Sequence, residues 1–130
     1  MGKNAENLRV LIVEDSLFMI NLEKKILSSL GVTQIEEARD GDAAIEMLES
    51  EQYDLVILDN NMPKKTGLEI LRDMRANSNP NKETAVVMVT SESAREHVLE
   101  IAKLGVKAYI VKSLSAENFE MKIKRVVETL

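Results

Sequence analysis

Cysteine is absent from the 130 residues, which excludes disulfides and thiolate metal sites and fits a cytoplasmic protein. Tryptophan is also absent, and Phe and Tyr supply two residues each, so Val, Ile, Leu, Met and Ala must fill any interior. There is no basic excess: the net charge of −5 argues against a nucleic-acid surface. No run of like charges forms a tail. No stretch approaches the roughly 18 apolar residues of a membrane span. The opening "MGKNAENLRV" lacks an apolar segment of signal-peptide length. Gly2 follows Met1, but Glu6 stands where a myristoylation signal has Ser or Thr. Solenoid repeats, linkers and low-complexity segments are missing too.

What is present is 45% hydrophobic and 30% charged, enough for one compact domain with a core. Short apolar runs alternate with helical patterns. The runs are "LRVLIV" (8–13), "TQIEEA" (33–38), "DLVILD" (54–59), "TAVVMVT" (84–90) and "VKAYIV" (106–111). Three are almost continuously apolar, as strands covered on both faces should be. "TQIEEA" is the most polar and is expected at an edge. Ser16 reads as an N-cap, with Leu22, Ile26, Leu27 and Leu30 as an apolar stripe and Gly31 as the C-cap. Further helices are expected over 42–50, 67–76, 92–104 and 115–130, with "ANSNPN" (76–81) as a breaker. Such βα units imply a parallel sheet with right-handed crossovers.

Ligands of open parallel sheets bind beyond the carboxyl ends of the strands. Glu14 and Asp15 follow the first run, Asp59 ends the third, Thr90 and Ser91 close the fourth, and Lys112 and Ser113 follow the fifth. Each alone has an ordinary reading as a helix cap, a turn residue or a solvated charge. Their joint placement on one rim does not. Carboxylates about 4–5 Å apart repel by about 3–4 kcal/mol per pair at an effective dielectric of 20. One Lys cannot offset three of them, so the site should raise a carboxyl pKa or bind a divalent cation. Oxygen-only ligands favour Mg²⁺ or a similar hard ion, and a backbone carbonyl beyond Asp59 can add one more oxygen. Such an ion seats phosphate oxygens, and an Asp beside it can attack phosphorus.

The segments "VLIVEDS", "VILDNNMP" with "GLEIL", "VVMVTSES" and "YIVKS" resemble the receiver domain of two-component response regulators, over about 8–130, with 1–7 as an N-terminal extension. The resemblance implies an α/β fold: a doubly wound, flavodoxin-like five-stranded parallel sheet, order 2-1-3-4-5, with five helices. It makes Asp59 the phosphoacceptor. Glu14, Asp15 and Asp59 hold Mg²⁺ (Mn²⁺ as an alternative) with the Asn61 carbonyl, and Lys112 contacts the phosphoryl group. Thr90 and Tyr109 become the switch pair coupled to the face of helix 4, strand 5 and helix 5. Asn61 and Glu92 tune dephosphorylation, as in the chemotaxis regulators that they most resemble. The implied partners are a sensor histidine kinase or phosphotransfer protein and a downstream target such as a flagellar motor switch or a phosphatase. A cytoplasmic monomer is expected, with a phosphorylation-dependent dimer left open.

The chain departs from that pattern in three places. Ser113 replaces the usual Pro after the Lys, where a cis bond would cost about 2.5–4 kcal/mol, so a trans bond is expected. Glu14 replaces the more frequent Asp. "KKTG" (64–67) keeps only its Gly, and Lys64 and Lys65 are expected to be solvated. Leu17, Phe18, Met19 and Ile20 cannot all face one sheet; those left exposed, with Leu17 and Ile20 as the expected pair, would dock the phosphodonor. His97 reads as a surface residue. The alternatives are the receiver piece of a larger transcription factor or hybrid kinase, an Asp-nucleophile phosphatase of the haloacid-dehalogenase kind, and a pseudo-receiver that only binds. The phosphatase needs a second Asp where Asn61 stands.

Overall fold

The structure, a computed structural model, describes residues 3–76, 78–91, 95–113 and 115–130, with the side chains of residues 95 and 96 left out. Strands β1 (Arg9–Val13), β2 (Gln34–Ala38), β3 (Leu55–Asp59), β4 (Ala85–Thr90) and β5 (Ala108–Val111) form one sheet in the order β2-β1-β3-β4-β5. Every pairing is parallel. Between and after them lie α1 (Leu17–Ser29), α2 (Gly41–Ser50), α3 (Gly67–Met74), α4 (Arg95–Leu104) and α5 (Ala116–Glu128). The doubly wound order expected from the sequence is the one observed.

The period-two alternation of strands divides the core into two layers. Val10, Ile12, Leu55, Ile57, Val87, Val89 and Ile110 face α1 and α5, against Ile20, Ile26, Leu27, Phe119 and Ile123. Leu11, Val13, Val56, Leu58, Val86 and Met88 face the other way, against Leu48, Leu68, Ile70, Leu71, Met74 and Ile101 of α2, α3 and α4. With both faces covered, β1, β3 and β4 have almost no polar side chains until their carboxyl ends. β2, at an edge, is the partly exposed strand that its composition suggested.

Helix starts follow local chemistry. Ser16 Oγ accepts from the Met19 amide, Asp40 from Ala43, and Ser115 from Asn118. Thr66 and Glu69 form a reciprocal capping box at α3. Helix α3 stops at Met74, short of the expected 76, and the Arg75 guanidinium then donates to the carbonyls of Asn81, Lys82, Thr84, Leu104 and Gly105. That fan ties the end of α3 to the loop before β4 and to the C-terminal end of α4. Helix α4 is described only from Arg95, so the expected start at 92 lies outside the described residues. Gly31 has φ +92°, the left-handed geometry of a helix-ending glycine.

Residues 3–7 pack against the fold: Lys3 donates its amide to the Leu130 carbonyl and its ammonium to Asp54. Among the described residues, no helix is long and apolar enough to cross a membrane.

Candidate functional site

The sheet's carboxyl edge carries the candidate residues because each follows a strand held in register. Glu14 extends β1 by donating its amide to the Ala38 carbonyl. It is 1% exposed, and its Oε2 accepts from the Ser16 amide at 3.0 Å. Asp15, next along, is exposed. Asp59 is the last residue of β3 and 1% exposed; its Oδ1 accepts from the Asn61 amide at 3.0 Å. Lys112 extends β5 by donating its amide to the Thr90 carbonyl at 2.7 Å. Its ammonium lies 3.3 Å from Asp59 Oδ2 and 3.4 Å from Glu14 Oε1.

One carboxylate oxygen from each of Glu14, Asp15 and Asp59 lies within 4.8 Å of the others. Glu14 Oε1 and Asp59 Oδ2 are buried without a hydrogen-bond partner. An all-oxygen cluster with unpartnered buried acceptors and a single amine fits a hard divalent cation, which takes oxygen ligands and keeps waters. Zinc would call for nitrogen or sulfur.

Burial, with the Asp59 charge behind it, pushes the Glu14 carboxyl up to about 7, against the pull of the Ser16 amide and Lys112. The Lys112 ammonium is held above its ordinary range: burial works against it, but Asp59 and Glu14 outweigh burial. The folded chain therefore binds the Glu14 proton more tightly than the unfolded chain, which releases it near 4.5. The stability that Glu14 contributes is full below that value and is lost as pH rises through about 7. Without divalent cations, the melting temperature is expected to fall between about pH 5 and about pH 7.5. Mg²⁺ should flatten that fall, because it favours the ionised carboxylate. Calorimetric melts in EDTA and in Mg²⁺ check this, and a rising profile in EDTA would contradict it.

Thr90 and Asn61 are brought together. Asn61 Oδ1 accepts from Thr90 Oγ1 at 3.2 Å, from the Ser91 amide at 2.9 Å and from Ser91 Oγ at 3.0 Å. Tyr109 pairs with Met88 and Thr90 with Val111 in the β4–β5 ladder. Thr90 and Tyr109 are thus diagonal neighbours on the α4 side of the sheet. The Tyr109 hydroxyl is buried without a hydrogen-bond partner. Glu92 lies outside the described residues. No cis peptide occurs among the described residues, so Lys112–Ser113 is trans, as expected.

One expectation at the site changes. Ile20 is 1% exposed and packs in the core, whereas Phe18 is 75% and Leu17 57% exposed. The outward pair beside Asp15 is Leu17–Phe18, because Ile20 shares the inward stripe with Ile26 and Leu27. Lys64 is exposed, as expected, with a φ of 71° and its ammonium 3.6 Å from Asp40.

The sequence reading missed Asn60 and Glu23. Asn60 is buried, and its Oδ1 accepts from the Leu68 amide at 2.9 Å, pinning α3 to the end of β3. Glu23 is buried on α1 with Met19, Ile20, Ile26 and Leu27. The available signal was its spacing, three residues after Ile20 and four before Leu27.

The receiver-domain family of response regulators matches residues 10–124 of this chain. The chain belongs to that family. Over 121 residues the receiver is 39% identical to the chemotaxis protein CheY of Pseudomonas aeruginosa, covering 93% of this chain and 97% of that one. Among solved structures, it superposes on the chemotaxis response regulator CheY4 of Vibrio cholerae with a TM-score of 0.78 at 30% identity, covering 92% and 98% of the two chains. It also superposes on the Mn²⁺-bound form of the response regulator Rcp1, with a TM-score of 0.80 at 28% identity and 92% and 91% coverage. Receivers of this family serve phosphorylation-activated, two-component signalling.

Proposed function

We propose that this receiver accepts a phosphoryl group on Asp59 from a phosphohistidine, under control of a divalent cation held by Glu14, Asp15, Asp59 and the Asn61 carbonyl. The observation that carries this is the position of Asp59 Oδ2, buried and unbonded, facing the Lys112 ammonium beside two more carboxylates. Bound there, Mg²⁺ would supply positive charge to phosphoryl oxygens; that the related response regulator Rcp1 has a Mn²⁺-bound form supports the binding of a hard ion. The Asp59 oxygen attacks phosphorus, an O–P bond forms, and the N–P bond to the donor imidazole breaks. Lys112, released from its pairing with Asp59, neutralises a phosphoryl oxygen. Thr90 turns its hydroxyl from Asn61 towards the phosphoryl group, and Tyr109, diagonal to it, repacks. Hydrolysis later returns the carboxylate, with Asn61 and Glu92 setting the approach of water. Incubation with acetyl phosphate and Mg²⁺ should add one phosphoryl mass to the intact protein, lost within minutes once the donor is removed. The same gain in EDTA, or none in Mg²⁺, would refute this reading.

The output face is α4, β5 and α5, where Leu99 is 73% exposed. Similarity to CheY of P. aeruginosa supports a chemotaxis target, such as a flagellar motor switch or a phosphatase, and a cytoplasmic setting. The donor docks on Leu17 and Phe18, an apolar step next to exposed Asp15. Changing both to Ser should slow transfer from a phosphohistidine donor domain about tenfold or more, through lost apolar burial. The rate with acetyl phosphate, which needs no docking, should stay unchanged. Equal slowing with both donors would place the defect in the site instead.

A further inference from the structure

Glu23 is 1% exposed, and neither of its carboxyl oxygens has a hydrogen-bond partner. It lies two turns into α1, on the stripe that faces the sheet. Side chains of a helix tilt towards its N-terminus, which for α1 is the end that starts at Leu17, just after Asp15, and the charges of Glu14, Asp59 and Lys112 act on the Glu23 carboxyl. A buried carboxyl with both oxygens unpaired opposes folding, and an aliphatic side chain of similar size would fill the same place. A buried group left unsatisfied in this way calls for a water, an ion or a functional role to account for it.

We propose that Glu23 is a positioning residue of the cation site, whose oxygens accept hydrogen bonds from the water ligands of the bound divalent ion on its buried side. This rests on the reading of Glu14, Asp15 and Asp59 as the cation ligands. Mg²⁺ dehydrates reluctantly and keeps several waters, each a strong donor that needs an acceptor. Glu14 and Asp15 follow β1 and Asp59 ends β3, whereas Glu23 comes from α1, which packs over these strands and starts just after Asp15. Partners one layer out from the ligands orient the shell, and losing them typically weakens metal binding about tenfold or more.

The test is calorimetric titration of MgCl₂ into the unphosphorylated chain, with melts in EDTA alongside. Glu23→Leu should weaken Mg²⁺ binding about tenfold. Glu23→Gln, which keeps one acceptor oxygen, should weaken it less. Both variants should melt at or above the wild-type temperature in EDTA, since a buried unpaired carboxyl has gone, and both should gain less from added Mg²⁺. Mg²⁺ affinities within about twofold of wild type would overturn the inference and leave Glu23 as an uncompensated buried acid. If Glu23→Leu does not fold, Glu23→Gln alone decides by the same comparison. If the wild type shows neither a Mg²⁺ isotherm nor a melting shift, the cation reading falls and takes this inference with it. A normal wild-type isotherm with unaffected variants removes Glu23 alone.

Discussion

Asp59→Asn is expected to abolish the phosphoryl adduct completely and, in the absence of Mg²⁺, to make the chain more stable. The amide is nearly the same size, and its oxygen can still accept from the Asn61 amide, now at 3.0 Å from Asp59 Oδ1. What disappears is the nucleophile and one buried negative charge. In the wild type that charge faces Glu14 and Asp15 oxygens within 4.8 Å and a single ammonium at 3.3 Å. At about pH 8, where Glu14 is ionised as well, each like-charge pair costs about 3–4 kcal/mol and the one ion pair returns about 5, at an effective dielectric of 20. The burial penalty of the charge comes on top. The net change is therefore stabilising, on the order of 1 kcal/mol or more. Intact mass after acetyl phosphate reads the first effect, and a urea melt in EDTA reads the second. A destabilised variant would mean that the Lys112 pair outweighs both the repulsion and the burial.

Gly67→Ala is the second large effect, and it acts through shape. A Cβ at Gly67 would lie 2.7 Å from the Asp59 carbonyl oxygen and 2.8 Å from Asn60 Cα. Both are backbone atoms, so no side-chain rotation relieves the clash, and the loop from Asp59 to Asn61 must move. Overpacking of this kind costs about 1–3 kcal/mol or more. The catalytic cost is larger, since a shift of about 1 Å in a reacting group can lower a rate about 100-fold. Phosphorylation by acetyl phosphate should drop by that order while far-UV circular dichroism stays native. Gly105→Ala is the control. Its Cβ meets nothing within 4 Å, although its φ of +84° makes the change cost about 1 kcal/mol. It should lower stability and leave the phosphorylation rate alone. Equal rates for the two variants would show that Gly67 does not hold the Asp59 loop.

Much of this was legible in the sequence because the signals were redundant. The runs around Ile12, Ile57 and Val87 read as strands from apolarity alone, and a parallel sheet then gathers their carboxyl ends at one edge. Glu14, Asp59, Thr90 and Lys112 could be grouped without knowing a single distance. The phase of α1 was harder. Four apolar residues from Leu17 to Ile20 satisfy any rotation of the helix, and Ile26 and Leu27 select the rotation that buries Ile20 and exposes Phe18. Asn60 and Glu23 were not found, for a different reason. Polar residues default to solvent, and only the assembled fold shows that the Leu68 amide needs the Asn60 oxygen, or that Glu23 is buried with both carboxyl oxygens unpartnered. Arg75 is similar: its five carbonyl partners come from segments that no local pattern brings together.

The sheet has one more consequence, in the order of folding events. Every ladder is parallel, so no two strands can zip together across a tight turn. Each pairing must wait for a crossover to close, and loop-closure entropy is lost before any pairing returns it. Glu14 and Lys112 come from opposite ends of the chain and meet only after β1, β3, β4 and β5 have aligned. The complete site, with Lys112 against Glu14 and Asp59, is therefore a late product of folding, and a nascent or locally unravelled chain presents no assembled phosphoacceptor site to its donor.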